Sequence, residues 1–456
     1  MDIASLMILQ DILKQAEKKY AYAAGTFFNN RGIDINIDKK DENISAIRSN
    51  LGFVLSIFNG EYIEEYATDT IDKNHLAPFC RNAIRDIPLR KTKSKINAPM
   101  QGMRSFKTKE EINPDGLSIN EKIEMFRHRR ARILDGCNVV NCRIVYSEEL
   151  RKKTFVTSNG ITNEEIRNIS HYLMVYVSDG KELKYDYMST GGTGGLELVK
   201  ISDSQIDELV ANANQLLHAE RINPDFYDVV ATPEVAGLIA HEAFGHGVET
   251  DMYLKDRARS REYLGKIIAS PLVNIIDDPT LPGGYGSYFI DDEGMVAEPT
   301  YIIKDGRFVQ GLTNRYASSI LKLPATANGR RESFARKVYT RMSNTFFAAG
   351  HDNPDELIKS IDKGIYLIKG LSGMEDPKGW GIQVLVLYGK EIRKGKLTER
   401  IFSPLGITGF VPDLLKDISM VGNDFRVDSG ICGKGYKEYV PVSSGGPHIR
   451  TKVRLG

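Results

Sequence analysis

The sequence predicts an α+β fold, with α/β modules on the N-terminal side and a β-rich C-terminal module that carries one embedded helix. Three observations lead there. Hydrophobic spacing changes from helical to alternating between residues 20 and 33. Strand patterns dominate after residue 223. Within that last stretch, one helical pattern opens with a complete start signal, Thr232-Pro233-Glu234.

Leu6, Leu9, Leu13, Ala16 and Tyr20 recur at helical spacing, so the chain begins with an amphipathic helix. Ile33 to Ile37 then alternates, and Gly52 to Ile57 and Glu61 to Tyr66 read as strands about an Asn59-Gly60 turn. The Lys, Arg, Pro and Gly-rich run from Pro88 to Gly116 marks a solvated boundary. A basic helix ending Arg-His-Arg-Arg-Ala-Arg (127 to 132), a strand at 139 to 146 and a helix at 203 to 219 follow. Beyond residue 223 come a strand at 227 to 231, the capped helix, strands at 297 to 304 and 307 to 312 about Asp305-Gly306, a short helix at 354 to 362 and a strand at 382 to 388. The expected regions are an N-terminal α/β module with its basic linker at 1–110, a middle α/β module at 111–222 and the β-rich module at 223–456. No internal repeat stands out.

The chain has 456 residues, 41% hydrophobic and 27% charged, which excludes global disorder and predicts more than one domain. With 61 basic and 60 acidic side chains, its net charge of +1 offers no general field for nucleic acid or an anionic membrane. Neither is an expected direct partner. Four cysteines, at 80, 137, 142 and 432, are too few for a disulfide framework and fit a reducing compartment. The N-terminus lacks the basic flank of a signal peptide, and no apolar run reaches the ~18 residues needed to cross a bilayer. A cytoplasmic location is the expectation.

The capped helix holds His241-Glu242-Ala243-Phe244-Gly245-His246 in an otherwise apolar segment, where a lone carboxylate would be costly to bury. Neutral imidazole is the commonest zinc ligand, and a neighbouring carboxylate can take a proton from metal-activated water. The familiar zinc-peptidase spacing places the imidazoles four residues apart, on one helical face. Here they are five apart, about 140° around a regular helix. The segment must therefore depart from α-helix. A π-type turn would cut the offset to about 50°, and Gly245 and Gly247 could ease it or end the helix. A third ligand is needed, and the residues themselves leave Glu249, Asp251, Cys432 and His448 open.

Four segments resemble the TldD/PmbA family, also called the modulator of DNA gyrase family. They are YDVVATPEVAGLIAHEAFGHGVETD (227–251), LVNIIDDPTLPGGYGSYFIDDEG (272–294), TYIIKDGRFVQGLTNRYAS (300–318) and GICGKGYKEYVPVSSGGPHIR (430–450). The resemblance covers most of the C-terminal module and is weaker before it. It implies a TldD-like zinc-dependent peptidase acting on unfolded or modified peptides. His241 and His246 would be imidazole ligands, Cys432 the thiolate ligand and Glu242 the base. It also implies a dimer, either of two copies or with a PmbA/TldE-like chain; the PmbA or TldE half is described as lacking the metal motif that this chain keeps. Tyr436-Lys437-Glu438 and the basic 88–109 stretch depart from the family pattern. The alternative is a non-catalytic regulatory protein of a toxin–antitoxin or topoisomerase system. A zinc nucleobase deaminase is disfavoured because its His-x-Glu and Pro-Cys-x-x-Cys pair is missing.

Other signals are weaker. Ser189 to Gly195 lacks the ending of a phosphate loop and reads as a turn. Asp277-Asp278 and Asp291-Asp292-Glu293 could form a second metal site but favour turn chemistry. Gly283 to Gly286 could admit a peptide backbone. Cys137 and Cys142 read as core thiols, 127 to 132 as a solvated helix face, and the remaining histidines as structural.

Overall fold

Leu9, Leu13 and Ala16 bury one face of α1 (Ile3–Ala16) against Phe53, Leu55 and Cys80, as their spacing predicts. Helix α2 (Lys73–Asp86) lies beside it. Its N-cap Asp72 accepts from the amides of Asn74 and His75, which satisfies the open first turn. The computed structural model describes residues 3–47, 50–90, 96, 102–435 and 438–456. Residues 91–95 and 97–101 of the expected linker, and Tyr436 and Lys437, lie outside that set.

The first sheet has eight strands: β1 (Tyr22–Asp38), β2 (Glu42–Ala46), β3 (Asn50–Phe58), β4 (Ile63–Thr68), β5 (Gly102–Lys107), β6 (Val139–Thr157), β7 (Gly160–Ser178) and β8 (Leu183–Thr193). Their order is β4-β3-β1-β6-β7-β5, with β2 on β1 and β8 on β7. Strands from both sides of residue 110 thus share one sheet. β6 and β7 run to 19 residues each, far beyond the expected 139 to 146. The helices α3 (Ile119–Leu134) and α4 (Asp203–Gln215) cover one face; each starts with a capping box, Ser118 with Glu121 and Ser202 with Gln205.

The C-terminal half is β-rich and α5 (Pro233–Phe244) is set into it. One six-stranded sheet has the order β12 (Arg307–Phe308), β11 (Thr300–Lys304), β10 (Ile275–Asp277), β15 (Asn344–Phe347), β22 (Glu438–Gly446), β21 (Arg426–Lys434). A seven-stranded sheet runs β16 (Lys363–Asp376), β9 (Asp225–Ala231), β23 (Ile449–Leu455), β19 (Leu405–Phe410), β17 (Gly381–Arg393), β18 (Lys396–Phe402), with β20 (Met420–Val421) on β23. Because β16 also pairs with β17, five of its strands close into a barrel. A small ribbon, β13 (Gly329–Arg330) with β14 (Tyr339–Thr340), completes the strands used below. The fold is α+β, as the sequence predicts.

Buried charges join the first sheet to the C-terminal half. Lys153 of β6 reaches Asp292 at 3.0 Å and the Ile290 carbonyl at 2.8 Å, and Arg331 reaches Glu65 of β4 at 2.5 Å. Lys153, Asp292 and Arg331 are nearly excluded from water, so each of these charges needs its partner. No described helix is long and apolar enough to cross a membrane.

Candidate metal centre

Thr232 is the N-cap of α5 and Pro233 its first residue, but the Thr232 hydroxyl makes no capping bond. The helix is held instead by burial of Val235, Ala236, Ile239, Ala240, Ala243 and Phe244. It crosses β22 so closely that a Cβ on Gly237 would stand 2.3 Å from the Gly445 nitrogen, so only glycine fits there. The helix stops at Phe244. The Gly245 amide donates both to the Ala240 carbonyl at 3.2 Å, a π-type bond, and to the His241 carbonyl at 2.8 Å. A 3₁₀ turn, His246–Val248, follows. This change of winding swings His246 round to His241, and their ring centroids lie 5.4 Å apart.

Cys432, 2% exposed, comes from the distant strand β21. Its Sγ is 3.1 Å from His246 Nε2, and one ligand atom from each of His241, His246 and Cys432 lies within 4.8 Å of the others. Two nitrogens and a sulfur around tetrahedral zinc would be ~3.4–3.7 Å apart, so the set fits the ion without moving an element. His241 Nδ1 is buried with no protein partner. Burial disfavours charge on Cys432, yet His241 and His246 outweigh it and hold the thiol well below its ordinary pKa. His246 moves well above its own, because Cys432 and Glu249 outweigh its burial.

The other sequence candidates have different partners. His448 Nδ1 sits 2.5 Å from Asp424 and its Nε2 2.8 Å from the Tyr366 hydroxyl. Asp251 accepts from Lys434 at 2.7 Å. Glu249 is 3.5 Å from His246 Nδ1, on the ring edge away from Cys432, and 2.7 Å from Lys434. Burial would raise its pKa, but Lys434, His246 and Arg341 bring it down to about 2.

Glu242 is 7% exposed and borders a cavity of about 510 Å³ shared with His241, His246 and Cys432. Burial raises its carboxyl above the ordinary range, against the pull of both imidazoles. A Cβ on Gly373 of β16 would stand 2.3 Å from Glu242 Cγ, so glycine there admits the carboxylate. The cavity continues between Gly370–Gly373 of β16 and Ser429–Gly433 of β21, past Tyr172 and Tyr187 of the first sheet. Glu234, about two turns back along α5, and Asp428 also line it, and Arg426 spans the two at 3.2 and 2.8 Å. Nearby Glu375 has both carboxylate oxygens buried without partners, and burial pushes it up to about 8.

Several weaker signals resolve into structure. Asp277 accepts from Asn328, Ser343 and Thr345, and Asp278 from the Thr280 amide. Asp291 accepts from the amides of Glu293, Met295 and Gly329. The Gly283 carbonyl accepts from the Thr193 amide, so that loop meets the Gly-rich run and does not line the metal cavity. Three expectations are corrected, the first being the turn at Ser189 to Gly195, of which Ser189 to Thr193 lie in β8 paired with β7. Cys137 is exposed, whereas Cys142 is a core thiol as expected. Arg129, within the helix face expected to be solvated, is 6% exposed and donates to the Val199 carbonyl at 2.6 Å, because α3 packs flat on the sheet. Sequence reasoning also passed over Lys434 and Arg341 beside Glu249. The Lys434 signal was present, since a residue two after Cys432 shares its face of a strand.

Residues 224–454 match the PmbA/TldA metallopeptidase C-terminal domain. A metalloprotease from Methanothermobacter thermautotrophicus is 34% identical over 347 residues, 74% of each chain. A zinc metalloprotease TldD homolog from Saccharolobus solfataricus is 33% identical over 227 residues, 50% of each chain. The solved structure of TldE from Thermococcus kodakarensis shares the fold, with a TM-score of 0.76 and 15% identity over 98% of this chain and 100% of that one.

Proposed function

Since this chain belongs to the PmbA/TldD metallopeptidase family, we propose that it is a zinc-dependent peptidase whose metal is held by His241, His246 and Cys432 and whose general base is Glu242. The observation that carries this reading is the convergence of those three ligand atoms beside a buried carboxylate in one cavity.

Zinc, when bound, supplies Lewis-acid chemistry: it polarises the scissile carbonyl and makes water more acidic. Glu242 takes the proton of the attacking water and passes it to the leaving amine. Gly373 leaves Glu242 room to reach the reacting atoms. The walls favour an extended peptide: β21 is an edge strand, and β16 from Gly370 onward pairs only with β17 among the described strands. That geometry supports unfolded or modified peptides as the substrate class.

A second subunit is part of the proposal, either a copy of this chain or a TldE-like partner. Ile431 on the cavity wall is 65% exposed and Met374, beside Gly373, is 66% exposed, an apolar rim suited to cover. The reading keeps regions 1–110, 111–222 and 223–456, with the chemistry in the last. The test is metal content of purified protein together with hydrolysis of an unstructured peptide. One zinc per chain and chelator-sensitive hydrolysis support the peptidase. A metal-free protein without hydrolysis returns the chain to the regulatory alternative.

A further inference from the structure

Resting on the metal reading above, we infer that Glu249 is the positioning residue of the centre, fixing His246 in orientation and tying it to the strand that carries Cys432. Glu249 is 1% exposed, and its Oε2 faces the Nδ1 edge of His246 at 3.5 Å. The opposite edge, Nε2, faces Cys432 Sγ at 3.1 Å. A carboxylate on one edge of an imidazole holds the proton there and leaves the other nitrogen's lone pair for a metal. His241 has no such support, since its Nδ1 meets no partner.

The remaining ties of Glu249 lead to β21. Lys434 Nζ is 2.7 Å from Glu249 Oε2 and stands two residues after Cys432. The same Nζ reaches Asp251 at 2.7 Å and the Thr340 carbonyl at 3.0 Å, so it is anchored independently. Arg341 Nε lies 3.8 Å from Glu249 Oε1, and the same guanidinium donates to the Cys432 carbonyl at 2.6 Å. Glu249 therefore joins the segment after α5 to the strand of the third ligand by contacts that need no metal. The consequence is a centre whose His246–Cys432 separation is set before an ion arrives.

A buried ion pair could do the same packing job without acting on His246, and zinc affinity separates the two. Chelator competition with zinc is run on wild type, Glu249→Gln and the charge-balanced Glu249→Gln/Lys434→Met. The double variant keeps the net charge of the cluster, with one acid, Asp251, and one base, Arg341, left in place, so it also serves if the single variant does not fold. The expected result is one tight zinc in wild type and affinity ~10–100-fold weaker in both variants, the usual effect of losing such an outer carboxylate. Wild-type affinity in the double variant would overturn the inference while leaving the metal reading intact. Absence of zinc from wild type would overturn the metal reading and this inference with it.

Discussion

His246 Nε2 and Cys432 Sγ, 186 residues apart in the chain, lie 3.1 Å from each other. The contact joins the end of α5 to the edge strand of a sheet, so an ion bound there would cross-link two elements of the C-terminal half. Cys432→Ser should therefore weaken zinc binding by at least ~10-fold, because a strong thiolate ligand becomes a poor hydroxyl one. It should also reduce the stability gained from zinc, which at a hundredfold excess over its dissociation constant is ~2.7 kcal/mol. Thermal melts with and without zinc check this. Equal zinc-induced shifts in the two proteins would remove Cys432 from the ligand set.

Gly373→Ala places a Cβ 2.3 Å from Glu242 Cγ, too close for the side chain to stay where it is. The carboxylate must move, whereas His241, His246 and Cys432 keep their positions. Turnover should fall by ~10²-fold or more, the scale at which a misplaced catalytic group is felt, with zinc content unchanged. Steady-state hydrolysis and metal analysis on the same sample decide it. Unchanged turnover would mean that Glu242 does not need its present position.

Away from the centre, His171 is 1% exposed, and burial, reinforced by Arg129, lowers its pKa to about 3. The unfolded chain protonates this histidine near its ordinary value of ~6.5 and the folded chain does not. Its stabilising contribution is thus complete above pH ~6.5 and is lost progressively as the pH falls toward 3, at up to ~1.4 kcal/mol per pH unit. Asp291 and Glu293, whose pKa values burial raises to about 6 and about 8, slope the other way across the same range. The comparison must therefore be with His171→Gln. Urea midpoints at pH 7.5, 6.5 and 5.5 should fall more steeply in wild type than in the variant; parallel curves would contradict a neutral His171.

The sequence announced the two histidines and their carboxylate but not how they converge. Their five-residue spacing is incompatible with regular helix, and the solution lies in the backbone at Gly245, where one amide serves both Ala240 and His241 before the 3₁₀ turn begins. Cys432 was selectable only through family resemblance, since nothing local in a glycine-rich strand indicates which distant element it faces. The fold class was legible because long strands and capped helices carry strong patterns. Lengths were less so: β1 alternates visibly only at Ile33 to Ile37, since residues 22 to 28 are buried throughout and show no period. Helix α2 was missed because Pro78 in its interior reads as a breaker, while the Asp72 cap and burial of Leu76 and Cys80 offset that cost.

Whether Glu242 moves the proton in a zinc peptidase is measured most directly by turnover of an unstructured peptide by Glu242→Gln and wild type at equal zinc loading. Glutamine keeps the size of the side chain and removes its basicity without touching a proposed ligand. The predicted result is full zinc occupancy with hydrolysis reduced ~10²–10⁴-fold. Wild-type turnover in the zinc-loaded variant would contradict the claim.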